Sequence, residues 1–126
     1  MSGQYCITLT TTDSDESAQL IINSVLNKGS AACIQTMPIH SHYVWKGEVC
    51  SDNEILMIMK TKKACYAELE QTIVKLHNYD VPQIVQIPFV EGYNPYLAWL
   101  EENTRCLTVS NVNALSAPSV SINISF

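Results

Sequence analysis

Tyr43-Val44-Trp45-Lys46-Gly47-Glu48-Val49-Cys50 is a pair of extended runs separated by Lys46-Gly47. Tight hairpin turns need positive φ, which glycine adopts without steric cost, so this stretch predicts a β-hairpin. Upstream, the chain from Ala32 to Trp45 reads as one long strand, interrupted at Met37-Pro38. Proline has no N–H to give a sheet ladder, which favours an edge or a bulge there. Downstream, Ile55-Leu56-Met57-Ile58-Met59 is a continuous apolar run. Such a run marks burial on both faces and a central place in a sheet or an interface. The returning strand is therefore expected to be the most buried element.

Further outward, Tyr5, Ile7 and Leu9 alternate with Cys6, Thr8 and Thr10, the period-two pattern of a strand with one face buried. Asp13 followed by Glu16 matches a capping box, and Ala18, Ile21, Ile22 and Val25 recur at helical spacing up to Gly29, which can close a helix in the left-handed conformation. After the hairpin, Thr61 can cap a second helix whose stripe is Cys65, Leu69, Ile73 and Leu76, ending near Asn78. Pro82 prevents continuation, Ile84-Val85-Gln86-Ile87 supplies a fourth strand, and Asn94-Pro95 starts a third helix through Glu102. The order β-α-β-β-α-β plus a C-terminal helix is an α+β, ferredoxin-like split βαβ arrangement. Two helices on one face leave the other face and two edges of the sheet bare, so association is expected.

The 126 residues fit one domain, and 47% hydrophobic residues can supply its core. A net charge of -5 with seven Lys plus Arg speaks against nucleic acid, and no apolar stretch is long enough to span a bilayer. Five scattered cysteines (Cys6, Cys33, Cys50, Cys65 and Cys106), without C-x-x-C spacing, read as reduced thiols in a cytoplasmic protein. The domain is assigned to residues 1–105. The tail, 106–126, is uncharged and rich in Ser and Asn, and its last seven residues alternate like a strand, so it is either an added strand or a disordered extension.

Several segments together resemble the CutA family of divalent-cation tolerance proteins. They are Lys28-Gly29-Ser30-Ala31-Ala32-Cys33, the hairpin from Tyr43 to Glu48, Met59-Lys60-Thr61-Lys62, His77-Asn78-Tyr79-Asp80-Val81-Pro82-Gln83-Ile84, and Asn94-Pro95-Tyr96-Leu97-Ala98-Trp99-Leu100. The resemblance covers roughly residues 4 to 105. It implies a homotrimer similar in assembly to the PII-type signalling proteins, clefts between subunits, a response to metal ions, and binding of Cu(II) or a similar divalent metal. Gln83 stands where the family usually carries Glu, and Thr10 where some members carry a copper-binding Cys, which leaves His77 as the matching strong ligand.

His77 is accordingly the candidate metal residue. Alternatively, it is a cation placed at the negative end of a helix dipole. His40 and His42 are two apart on a strand and so share a face, where they are either a chelating pair for Cu(II) or Ni(II) or simply solvated. Trp45, Lys60, Tyr79 and Gln83 are candidates to line an inter-subunit cleft for a small anion or metabolite, with interface packing of the two aromatics as the alternative. Tyr96 and Trp99 are read as core. No nucleophile beside a base, phosphate loop or paired-carboxylate motif is recognisable, so an enzyme is not expected. The function reading is a metal-ion response trimer, with a PII-like small-ligand sensor or a non-catalytic scaffold as alternatives.

Overall fold

A computed structural model describes residues 4–106, and the tail expectation lies outside the described residues. The elements follow the order β1 (Tyr5–Thr12), α1 (Asp15–Lys28), β2 (Cys33–Trp45), β3 (Glu48–Lys62), α2 (Tyr66–Leu76), β4 (Ile84–Pro88) and α3 (Asn94–Glu102). A short 3-10 turn, Lys63–Cys65, leads into α2. The antiparallel sheet has the order β2-β3-β1-β4, the strand arrangement of the ferredoxin-like fold.

Local sequence decides the joints. Lys46 and Gly47 take φ of 52° and 80°, the doubly positive turn whose twist matches a two-residue hairpin. That turn sets Trp45 opposite Glu48, and the register runs unbroken to Cys33 opposite Lys60. Pro38 is tolerated because β2 is an edge strand. Gly29 closes α1 at φ 77°, with its N–H donating to Leu26 O. A Cβ there would also lie 3.0 Å from the Arg105 side chain, a tight contact added to the conformational demand for glycine.

The core lies between the helices and one sheet face. Ile21 and Val25 of α1, Leu69 and Ile73 of α2, and Met57 and Met59 of β3 are all fully buried. Each such side chain stabilises the fold by roughly 1.5–3 kcal/mol. Strand β3 is central, yet only its second half is enclosed, since Glu48–Asn53 lies in the projecting part of the hairpin and is largely exposed. Pairing of Thr8 with Met59 and Thr10 with Met57 puts Cys6, Thr8, Thr10 and Thr12 on the helix-covered face. The apolar set Ile7 and Leu9 faces the other way, beside Ile58, Val85 and Ile87. Alternation located the strand, but which face the helices cover depends on the packed sheet.

Four local expectations are corrected. Ser14, not Asp13, caps α1, its Oγ accepting from Ser17 N–H at 3.0 Å. Thr61 is not a helix cap; it belongs to β3, fully buried, and its hydroxyl donates to Ser30 O at 2.6 Å. Trp99 is 42% exposed in the single chain rather than core, and stacks on Tyr96 at 5.9 Å. Finally, Cys65 and Cys106 are joined as a disulfide with Cα atoms 5.3 Å apart, leaving Cys6, Cys33 and Cys50 as free thiols. After α3 the chain runs back along the body of the fold, where Arg105 N–H donates to Gly29 O at the end of α1 at 2.8 Å, and Cys106 meets Cys65 before α2. The thiol argument for a cytoplasmic location thus rests on three cysteines instead of five. Among the described residues, no helix is long and apolar enough to cross a membrane.

Candidate functional site

At the root of the hairpin, on the sheet face away from the helices, β2, β3 and the α2–β4 loop enclose a cleft of about 540 Å³. The hairpin register sends Ser41, Tyr43 and Trp45 from β2 and Glu54 from β3 to this side, and Tyr79, Asp80 and Gln83 come from the loop. The loop is fastened to the end of β1. Thr12 Oγ1 donates to Asn78 Oδ1 at 2.6 Å, and Asn78 Nδ2 donates to Asp13 Oδ1 at 2.8 Å.

His77 completes that fastening. Its Nδ1 accepts from Tyr79 N–H at 3.0 Å, which leaves the proton on Nε2, and Nε2–H donates to Thr11 O at 2.7 Å. Both ring nitrogens are therefore engaged by backbone, and the ring packs beside Tyr79 with centroids 4.8 Å apart. Coordinating a metal at His77 requires breaking one of these bonds. Thr10 is buried on the helix-covered face, whereas Gln83 lines the cleft on the other, so one chain does not assemble His77, Thr10 and Gln83 into a ligand set.

The centre of the cleft is Glu54. Its Oε1 accepts from Ser41 Oγ at 2.6 Å and its Oε2 from Tyr79 Oη at 2.5 Å. Burial first, then the hydrogen bond and charge of Glu54 with help from Asp13 and Asp52, push the Tyr79 phenol well above its ordinary value. Tyr43 donates to Asp52, and that bond is the main reason its phenol is pushed up to about 12. Both phenols stay protonated donors to neighbouring carboxylates. The lining contains Glu54 and Asp80 but no Lys or Arg among the described residues.

Of the four cleft residues proposed from sequence, Trp45, Tyr79 and Gln83 come together. Lys60 does not join them. It lies six residues along β3 from Glu54, about 20 Å at strand rise, where its Nζ donates to Gln35 Oε1 at 2.6 Å. Sequence reasoning missed Glu54, Ser41 and Tyr43. The two-residue turn at Lys46-Gly47 already implied that Glu54 and Ser41 share the Trp45 face, but the Tyr79 contact spans 25 residues and carries no local signal. Among the described residues, no three His, Cys, Asp or Glu side chains converge as a ready-made metal centre.

Fold and cleft together define a ferredoxin-like α+β subunit with an acidic, aromatic-walled site at the root of a long hairpin. The chain belongs to the family described as CutA1 divalent ion tolerance protein, which it matches over residues 6–103. It is 39% identical over 99 residues to the divalent-cation tolerance protein CutA of Thermus thermophilus, covering 78% of this chain and 96% of that protein. The chloroplastic protein CutA of Arabidopsis thaliana is 37% identical over 91 residues, which are 71% of this chain and half, 50%, of that longer protein. Among solved structures, the Thermus thermophilus protein superposes with a TM-score of 0.77 over 79% of this chain and 98% of its own, at 39% identity. CutA1 of Oryza sativa gives 0.78 over 82% of this chain and 96% of its own, at 31% identity.

Proposed function

We propose that this protein serves divalent-cation tolerance as a non-catalytic homotrimer whose hairpin cleft binds a cation. The observation that carries the reading is Glu54, a carboxylate held between Ser41 and Tyr79 in a cleft whose lining also includes Asp80 and His42 but no Lys or Arg among the described residues. Oxygen donors of this kind suit a divalent ion, and the carboxylates of Glu54 and Asp80 in the lining oppose an anion. Cu(II) at His77 is the less favoured form of the idea, since each ring nitrogen already has a backbone partner. The names of the relatives support the cation. The uncovered apolar sheet face supports the trimer, because burying it needs a partner surface.

Native mass spectrometry with added Mn(II), an ion that prefers oxygen donors to imidazole, tests the reading. A trimer that takes up one ion per subunit, with uptake abolished in Glu54→Gln, is the expected result. Equal uptake by Glu54→Gln would remove the ion from the cleft, and a monomeric mass would remove the assembly.

A further inference from the structure

On β2, at the positions alternating with those that face Glu54, lies a pair of imidazoles, of which His42 also borders the cleft. His40 and His42 are neighbours on one face of β2, with Asn53 and Ser51 as their cross-strand partners. Both rings are exposed, and their centroids are 5.2 Å apart. An ion bound about 2.0–2.1 Å from one nitrogen of each ring would hold the two centroids roughly 4.5–5.3 Å apart, depending on whether the bond angle is square or tetrahedral. The rings already sit at that separation, and the β-ladder fixes the spacing of their Cβ atoms.

The neighbour on β3 adds a second element of a metal site. Ser51 Oγ lies 2.9 Å from His42 Nδ1. When that hydroxyl accepts from Nδ1–H, the ring is oriented and Nε2 is left with the lone pair that coordinates. On this face the flanking Val44 and Val49 are 70% and 82% exposed, so water can fill the remaining coordination positions.

We propose that His40 and His42 form a bidentate chelate for a late first-row divalent ion that prefers imidazole, with Ser51 as the positioning residue for His42. The site is distinct from the carboxylate centre of the cleft, although His42 borders both: its donors are nitrogens from one strand, whereas the cleft offers oxygens around Glu54. It holds whether or not the cleft binds an ion.

Electron paramagnetic resonance of the full-length protein with one equivalent of Cu(II) per chain tests the proposal. The expected spectrum shows two equatorial imidazole nitrogens, is lost in His40→Gln and in His42→Gln, and is unchanged in Glu54→Gln. Ser51→Ala weakens Cu(II) binding by roughly 10-fold while keeping the two-nitrogen spectrum. Persistence of that spectrum in either histidine variant, or its loss in Glu54→Gln, would overturn the site, as would a wild-type protein that binds no Cu(II). Unchanged oligomer mass in each variant confirms that the exposed substitutions leave the fold intact.

Discussion

At the scale of single residues, the cleft depends on a carboxylate and a phenol that reinforce each other. Glu54 gains a donor in Tyr79, and Tyr79 becomes hard to ionise because burial and the adjacent negative charge both disfavour the phenolate. A phenol whose folded pKa lies above its unfolded value, about 10, contributes stability that is fully present below that value and is lost as pH rises through it. Glu54→Gln removes the charge but not the burial. Ultraviolet titration of the phenols is expected to show Tyr79 ionising at lower pH in Glu54→Gln than in the parent, yet still above an exposed tyrosine. Identical alkaline titrations would mean that Glu54 does not govern Tyr79. His77 belongs to the same scale: by its tautomer it fixes the loop that delivers Tyr79, a role that a lone histidine at a helix end does not reveal.

At the scale of elements, α3 and the segment after it are held to the body of the fold by several independent ties. Leu100 is fully buried, Lys62 bridges Glu101 at 2.9 Å, and Thr104 Oγ1 donates to Leu100 O at 2.8 Å. The Cys65–Cys106 disulfide adds a covalent closure across a sequence separation of 41. Restricting the unfolded chain by a loop of that length is worth at most about 4 kcal/mol. Urea denaturation is expected to show the oxidised protein about 2–4 kcal/mol more stable than Cys106→Ser, with the folded spectrum of the variant retained because the hydrogen bonds around Arg105 remain. Equal midpoints for the two proteins would show that the bridge is absent in solution. Helix α1 illustrates how short-range rules succeed and slip by one residue: the helix start is where an Asx- or Ser-rich stretch predicts it, but Ser14 reaches Ser17 N–H and Asp13 instead serves Asn78.

At the scale of the whole molecule, the main feature is an apolar sheet face that no element among the described residues covers. Val85 is 42% and Ile87 48% exposed, next to Ile7, Leu9 and Ile58 on neighbouring strands. The distal hairpin is likewise open on both sides, with Trp45 53% exposed. An edge strand and a bare apolar face on one subunit are the conditions that favour a closed oligomer over a free monomer. Ile87→Asp places a charge on that face at a position already half exposed, so the chain is expected to keep its fold while the proposed trimer loses its contact. Sedimentation equilibrium is expected to report monomer for Ile87→Asp and trimer for the parent. A trimer in both would show that this face is not the interface.

The features that the sequence alone determined are those set by neighbours along the chain. Lys46-Gly47 fixed the hairpin and its register, Gly29 set the end of α1, Ile55–Met59 marked the central strand, and the element order gave the ferredoxin-like fold. Trp45, Tyr79 and Gln83, named from the sequence as candidates to line a cleft, do meet around one. Tertiary structure decided the rest, because each remaining feature joins groups far apart in the chain. It put Thr8 and Thr10 beneath the helices and Ile7 and Leu9 outside, drew Thr61 into β3, brought Cys106 to Cys65, left Lys60 far from the cleft, and set Tyr79 on Glu54. Alternation tells that a strand has two faces; only packing chooses which of them is covered, and with that choice it determines which side chains meet in the cleft.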